Sequence, residues 1–203
     1  MEKRKTPLKV ALLLGQNRVT RWQSDCIGRL CQDPDIEIEA MVVKGEPGDK
    51  LSDPLLGRMK RRLLAPGVMQ VTSIPACATG IRRIYVQSIQ QGRGEHFTDS
   101  ALEEIRSEAP DLLIRFGFGI LGGDVLHLAP MGVWSFHHGD LEHYRGKPPA
   151  FWELMNGEYR IGMTIQRLSE TLDGGEIVQQ AYVPAVPWSY RKTLSRLYSE
   201  SGS

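Results

Sequence analysis

The sequence has too few cysteines to build a disulfide scaffold. Cys26, Cys31 and Cys77 make an odd number, and no CxxC spacing links any two of them. This is the pattern of reduced thiols in a cytosolic protein. Long apolar runs are missing as well, and none approaches the roughly 18 residues that a membrane-spanning helix requires. The stretch Val10–Leu14 behind the basic start MEKRK is too short for a signal-peptide core, and no A-x-A cleavage pattern follows it. The expectation is a soluble, cytoplasmic protein with no membrane partner. An excess of charge of one sign is also lacking. The 25 Lys and Arg face 24 Asp and Glu, a net +1, so no bulk field draws the chain to nucleic acid. What remains is ordinary for a globular chain: 203 residues, 41% hydrophobic and 24% charged. That is enough to close one core, and residues 1–203 are read as a single domain.

Apolar runs and turn residues alternate along the chain. Lys9–Leu14 reads as a buried strand ending at Gly15, Gln23–Cys31 as a short helix and Ile36–Val43 as a second strand. This is a βαβ unit, which implies a parallel sheet with right-handed crossovers. Residues 54–64 read as a helix. Its basic face, Arg58 with Lys60, Arg61 and Arg62, is taken as solvated rather than as a nucleic-acid patch. A strand is placed near Ile84–Ile89. Ser100 with Glu103 is a capping-box pattern opening a helix to about Glu108. Leu112–Phe116 and Val133–Phe136 are two further strands. Met163–Leu168 and Glu176–Val183 form a hairpin-like pair, and Ser189 caps a last helix. The fold class is α/β, with a mostly parallel sheet flanked by helices.

Four of the five histidines, His127, His137, His138 and His143, lie within 17 residues. The block His137-His138-Gly139-Asp140-Leu141-Glu142-His143 follows a strand, where open α/β sheets build their sites. Three chemistries compete for it. One is a metal centre, although the spacing matches neither HExxH nor a His-x-His-x-Asp-His cluster. Another is a solvated loop. The third is general acid–base catalysis by one imidazole, held by a distant carboxylate. The turn Gly117–Gly123 carries four glycines but no Walker lysine, which suits a backbone ledge for a flat heterocycle better than a phosphate loop.

Residues 132–146, GVWSFHHGDLEHYRG, resemble the signature of the folate-dependent formyltransferases. Gly132, His137, Leu141, Tyr144, Arg145 and Gly146 fall in register with it. The similarity continues through Pro149, Trp152, Asn156-Gly157-Glu158, Gly162–Ile165 and Leu172–Ile177, and upstream through Asp111–Leu121. The signature region is thus 111–185. The resemblance implies a Rossmann-like formyltransferase fold and transfer of a formyl group from 10-formyltetrahydrofolate to a primary amine of a small substrate, with no metal. It assigns His137 as acid and base, Asp173 as its partner, and Ser135 to the position of the family's asparagine. It assigns Gly119, Ile120, Leu121, Leu172 and Asp173 to the folate, and His138, Asp140, Arg145 and Gly146 to the acceptor. Ser135 is the main departure, because a serine is shorter than asparagine and can turn to other acceptors. Asp140 and Glu142 stand where the family has apolar residues. They hint at a cationic or amino-sugar acceptor, or belong to a solvated loop. Two alternatives stay open: hydrolysis of 10-formyltetrahydrofolate, and a non-catalytic folate-binding module.

Overall fold

The computed structural model of the chain describes residues 6–46, 66–171 and 174–202. The expected helix at 54–64, together with Leu172 and Asp173, lies outside the described residues. The first strand, β1 (Leu8–Leu14), leads through a short β2 (Val19–Thr20) into α1 (Arg21–Gln32) and β3 (Ile36–Lys44). Next come β4 (Val71–Thr72), β5 (Arg82–Val86), the hairpin β6 (Ser88–Gln91) and β7 (Gly94–Phe97), and α2 (Asp99–Ser107). After β8 (Leu112–Arg115) and β9 (Val133–His137) the chain forms α3 (Phe151–Met155), β10 (Arg160–Arg167), β11 (Glu176–Pro184) and α4 (Tyr190–Ser201).

The central sheet has seven strands in the order β11-β10-β9-β8-β1-β3-β5. β5, β3, β1, β8 and β9 run parallel, and β10 and β11 close the edge antiparallel. β1 is almost wholly apolar because both its faces are covered. Ala11 and Leu13 pack with Ala101, Leu102 and Ile105 of α2 on one face, and Val10, Leu12 and Leu14 with Ile27 of α1 on the other. The chain leaves β1 toward β3 on one side and later returns to β8 on the other. The crevice beyond the carboxyl ends of β1 and β8 is therefore the switch point of the fold. Gly15 and Gly117, the two turn glycines there, touch backbone to backbone. A Cβ on Gly117 would lie 1.9 Å from the Gly15 nitrogen.

Two sequence expectations shift. The strand near Ile84–Ile89 is split between β5 and the separate β6–β7 hairpin. The helix expected to open at Ser100 is capped instead by Thr98, whose Oγ1 accepts from the Ala101 N–H at 3.3 Å. Thr98 has the extended backbone of a cap residue, so the helix begins before Ser100 can serve.

Candidate active site

β8 and β9 lie side by side, with Arg115 paired to Ser135 in the parallel register. Alternation along β9 sends Val133, Ser135 and His137 to the α2 face and Trp134 and Phe136 to the other. Ser135 is buried, at 2% exposure. Its Oγ accepts from Arg115 Nη1 at 2.8 Å. The second guanidinium nitrogen, Nη2, donates to the carbonyls of Phe118 at 3.1 Å and Gly119 at 2.6 Å. Arg115 thus joins the Ser135 position to the glycine turn. Burial lowers its pKa and the nearby Glu95 carboxylate opposes this. The guanidinium remains charged, as arginine does in proteins.

The expected ledge, Gly119 to Leu121, is paired along one edge. Gly119 N–H donates to Glu95 Oε1 at 3.1 Å, Glu95 N–H to the Ile120 carbonyl at 2.6 Å and Gly122 N–H to the Glu95 carbonyl at 3.1 Å. This is an isolated parallel bridge between Glu95 and Leu121. In such a bridge the N–H and C=O of Leu121 face away from the partner, toward the opposite edge. Burial of Glu95 would raise its pKa. Lys44, Ser88 and the Gly119 N–H outweigh that and hold it below the usual value.

His137 ends β9 half-buried. Its Nε2 lies 3.1 Å from the Tyr144 carbonyl oxygen, which can only accept, so Nε2 carries the hydrogen and Nδ1 is the free nitrogen of the neutral ring. His138 does not join it. Its ring sits on the other face against Tyr198 (4.0 Å between centroids), Trp22 (5.1 Å) and Phe136 (6.2 Å). Although part of the residue reaches solvent, Nε2 is buried with no hydrogen-bond partner among the described residues. Burial, with His137 adding a smaller effect, pushes the His138 imidazole down to about 3. It is neutral at physiological pH.

Asp140 is not on a solvated loop, one of the two readings left open for it. It is 8% exposed and saturated with donors: Tyr182 Oη at 2.9 Å, Gln180 Nε2 and Glu142 N–H at 3.0 Å, and His143 Nδ1 at 3.1 Å. Burial alone would raise its pKa, but these donors outweigh it and hold the carboxyl below its usual value. Gly162 permits this placement, since a Cβ there would sit 2.6 Å from the Asp140 backbone. Glu142 and Arg145 are exposed, with Arg145 Nε on the Leu141 carbonyl at 2.9 Å, and Gly146 is exposed beside Trp152. Leu172 and Asp173 lie outside the described residues. Their loop leaves β10 where Arg167 pairs with Trp134, roughly 10 Å along β9 from His137. Glu170 in that loop accepts from the Gly123 N–H at 3.0 Å, tying it to the glycine turn.

A polar pocket of about 220 Å³ opens at the Asp140 end of the site, lined by Asp140, His143, Tyr144, Glu153, Glu158 and Tyr182, with Arg160 and Gly162 completing it. Arg160 is stacked over the Tyr182 ring at 4.2 Å. Glu153 of α3 is 3% exposed and its Oε1 has no hydrogen-bond partner among the described residues. Burial raises its pKa, and a hydrogen bond from its own backbone N–H is the largest effect opposing the rise. The carboxyl therefore binds a proton more readily in the folded chain than in the unfolded one. Its contribution to stability falls as pH rises through the range above 4.5. Glu153→Met is expected to raise stability by about 1–2 kcal/mol at pH 8 and to flatten this slope. Thermal melts between pH 5 and 8 read both effects, and an unchanged slope would rule them out. A larger cavity of about 370 Å³ is mostly apolar and lies against Leu112, Ile114, Trp134 and Phe136, on the face away from His137.

Sequence reasoning missed Arg115, Glu95 and Glu153. Arg115 had a visible signal, a lone charge inside the apolar strand LLIRF. Glu95 and Glu153 had none, because their burial comes from distant segments.

A family model described as formyl transferase matches residues 68–202, about two-thirds of the chain. The chain belongs to the formyl transferase family. Solved structures of similar fold include phosphoribosylglycinamide formyltransferase from Campylobacter jejuni subsp. jejuni, 15% identical, covering 98% of this chain and 94% of that one at a TM-score of 0.67. Glycinamide ribonucleotide transformylase 1 from Symbiobacterium toebii is 15% identical over 98% of this chain and 84% of its own, at 0.64. A formyltetrahydrofolate deformylase from Pseudomonas syringae pv. tomato is 17% identical at 0.63, and this chain spans only 58% of it. At such identities these likenesses speak for the family's Rossmann-like fold alone.

Proposed function

We propose that the chain transfers a formyl group from 10-formyltetrahydrofolate to a primary amine of a small acceptor, with an amino sugar as the preferred class. The observation that carries this reading is the acidic pocket next to His137. A buried carboxyl with an unspent oxygen, Glu153, shares it with Asp140 and Glu158 and with the hydroxyl-bearing rings of Tyr144 and Tyr182. Carboxylates attract an ammonium group and accept hydrogen bonds from sugar hydroxyls, and a buried acid with an unspent oxygen in a cleft is a candidate functional group. His137, with Nδ1 free, moves the proton released as the amine bonds to the formyl carbon. Asp173 is proposed to hold the imidazolium. The outward-facing N–H and C=O of Leu121, with Gly119 and Ile120 beside it, offer the pterin an edge. A folate bound there would supply the formyl group.

We read the activity as cytoplasmic, in keeping with three free cysteines. No helix among the described residues is long and apolar enough to cross a membrane. The test is incubation with 10-formyltetrahydrofolate and a panel of amino sugars and simpler amines, following release of tetrahydrofolate. Release that depends on an amine, with formamide formed on it, is the expected result. Equal release without amine would make the chain a hydrolase, and no release with any acceptor would remove the catalytic reading.

A further inference from the structure

We infer that Arg115 is a positioning residue that turns Ser135 into a hydrogen-bond donor for the formyl oxygen, an inference that rests on the formyl-transfer reading above. A guanidinium cannot accept a hydrogen bond. It has five N–H donors and no acceptor. Arg115 Nη1 donates to Ser135 Oγ at 2.8 Å, so the serine's own hydrogen must point away from it. No side chain or carbonyl among the described residues takes that hydrogen. Ser135 is 98% buried, so water does not readily take it either. The ambiguity of a serine at this position, a hydroxyl free to turn to other acceptors, is thereby removed.

The arginine is itself held in place. Nη2 spans the carbonyls of Phe118 and Gly119, which fixes the plane of the fork. The Glu95 carboxylate is taken up by Lys44, Ser88 and the Gly119 N–H, and among the described residues no carboxylate touches the guanidinium directly. Arg115 Nε is buried and has no hydrogen-bond partner among the described residues. A cation and a hydroxyl with unspent donors therefore lie on the same sheet face as His137. Ser135 and His137 are two residues apart on one strand and share a face, roughly 7 Å apart along it. As the amine bonds to the formyl carbon, the C=O π pair moves to oxygen. The hydroxyl, polarised by the guanidinium behind it, meets that charge in a low-dielectric setting where it counts most. The cation stands in for the stronger donor that the family's asparagine supplies.

The test is steady-state kinetics of the whole chain with 10-formyltetrahydrofolate and its best amine. Arg115→Met and Ser135→Ala are each expected to lower kcat by about 100-fold or more, with a much smaller rise in the folate KM. The double variant is expected to fall no further than the worse single, because the two groups act as one unit. Arg115→Lys keeps the charge but cannot span the serine and both carbonyls, and should recover only a small part of the loss. Multiplying losses in the double variant, or a Ser135→Ala protein with wild-type kcat, would overturn the inference while leaving the formyl-transfer reading intact. A second readout needs no turnover. By calorimetry the wild type should bind 10-formyldihydrofolate more tightly than dihydrofolate, and both single variants should bind the two alike. No preference in the wild type would sink the inference. A wild type that binds neither folate and releases no tetrahydrofolate would sink the functional reading with it. If Arg115→Met fails to fold, Ser135→Ala, smaller by one oxygen atom, still decides both readouts.

Discussion

Replacing His137 with alanine is expected to lower turnover by about 10²–10⁴-fold while the fold survives. The ring is half-buried at a strand end and makes one hydrogen bond, Nε2 to the Tyr144 carbonyl. Losing such a bond costs about 1 kcal/mol, well within the reserve of a domain this size. The chemistry has no comparable reserve. Among the described residues no other imidazole stands on that face of β9, and His138 is neutral on the opposite side among Trp22, Phe136 and Tyr198. His137→Gln sharpens the test, since its amide N–H can replace the bond to Tyr144 but cannot carry a proton between substrate atoms. Circular dichroism should be unchanged in both variants and formyl transfer lowered to the same extent in both. Either variant keeping half of the wild-type kcat would move the acid–base role to another group.

The second large effect is on stability. Gly117→Ala should cost about 3 kcal/mol or more and lower the melting temperature by about 6 °C or more. The new methyl would sit 1.9 Å from the Gly15 nitrogen, 2.5 Å from the Gly15 Cα and 3.0 Å from the Leu14 carbonyl carbon. All three are backbone atoms of the central strand's turn and have no rotamer into which to retreat. The strand ends at the switch point would have to separate, and the Arg115 bridge to Phe118 and Gly119 would move with them. Activity should therefore fall along with stability. Gly28→Ala is the matched control. Nothing lies within 4 Å of its added methyl and it sits inside α1, so it should stabilise the chain by up to about 1 kcal/mol. A melt in which the two alanines behave alike would rule out the close approach as the cause.

Local patterns reported the sheet well because the signal is local. Val10–Leu14 is apolar at every position since both faces of β1 are covered, and His137 could be picked out because it ends a readable strand beside the glycine-rich block. Tertiary contact decided what the site residues do. Asp140 reads as a loop carboxylate until Gly162 lets β10 close over it and Tyr182 and Gln180 reach it from β11. Neighbouring histidines look equivalent in the sequence, yet the pleat sends His137 and His138 to opposite faces and burial pushes the His138 imidazole down to about 3.

The residue string by itself determined the α/β class, the main strands of the central sheet and the family signature, because hydrophobic period, turn residues and motif spacing are properties of short stretches. It also named the departure at Ser135. Only the folded chain decided which groups surround that serine. Arg115 reaches it because β8 and β9 pair in one particular register, and Glu153 and Asp140 share a pocket because elements far apart in sequence meet there. Hydrogen-bond partners and burial depend on the strand register and on that meeting, and neither can be read from residue order.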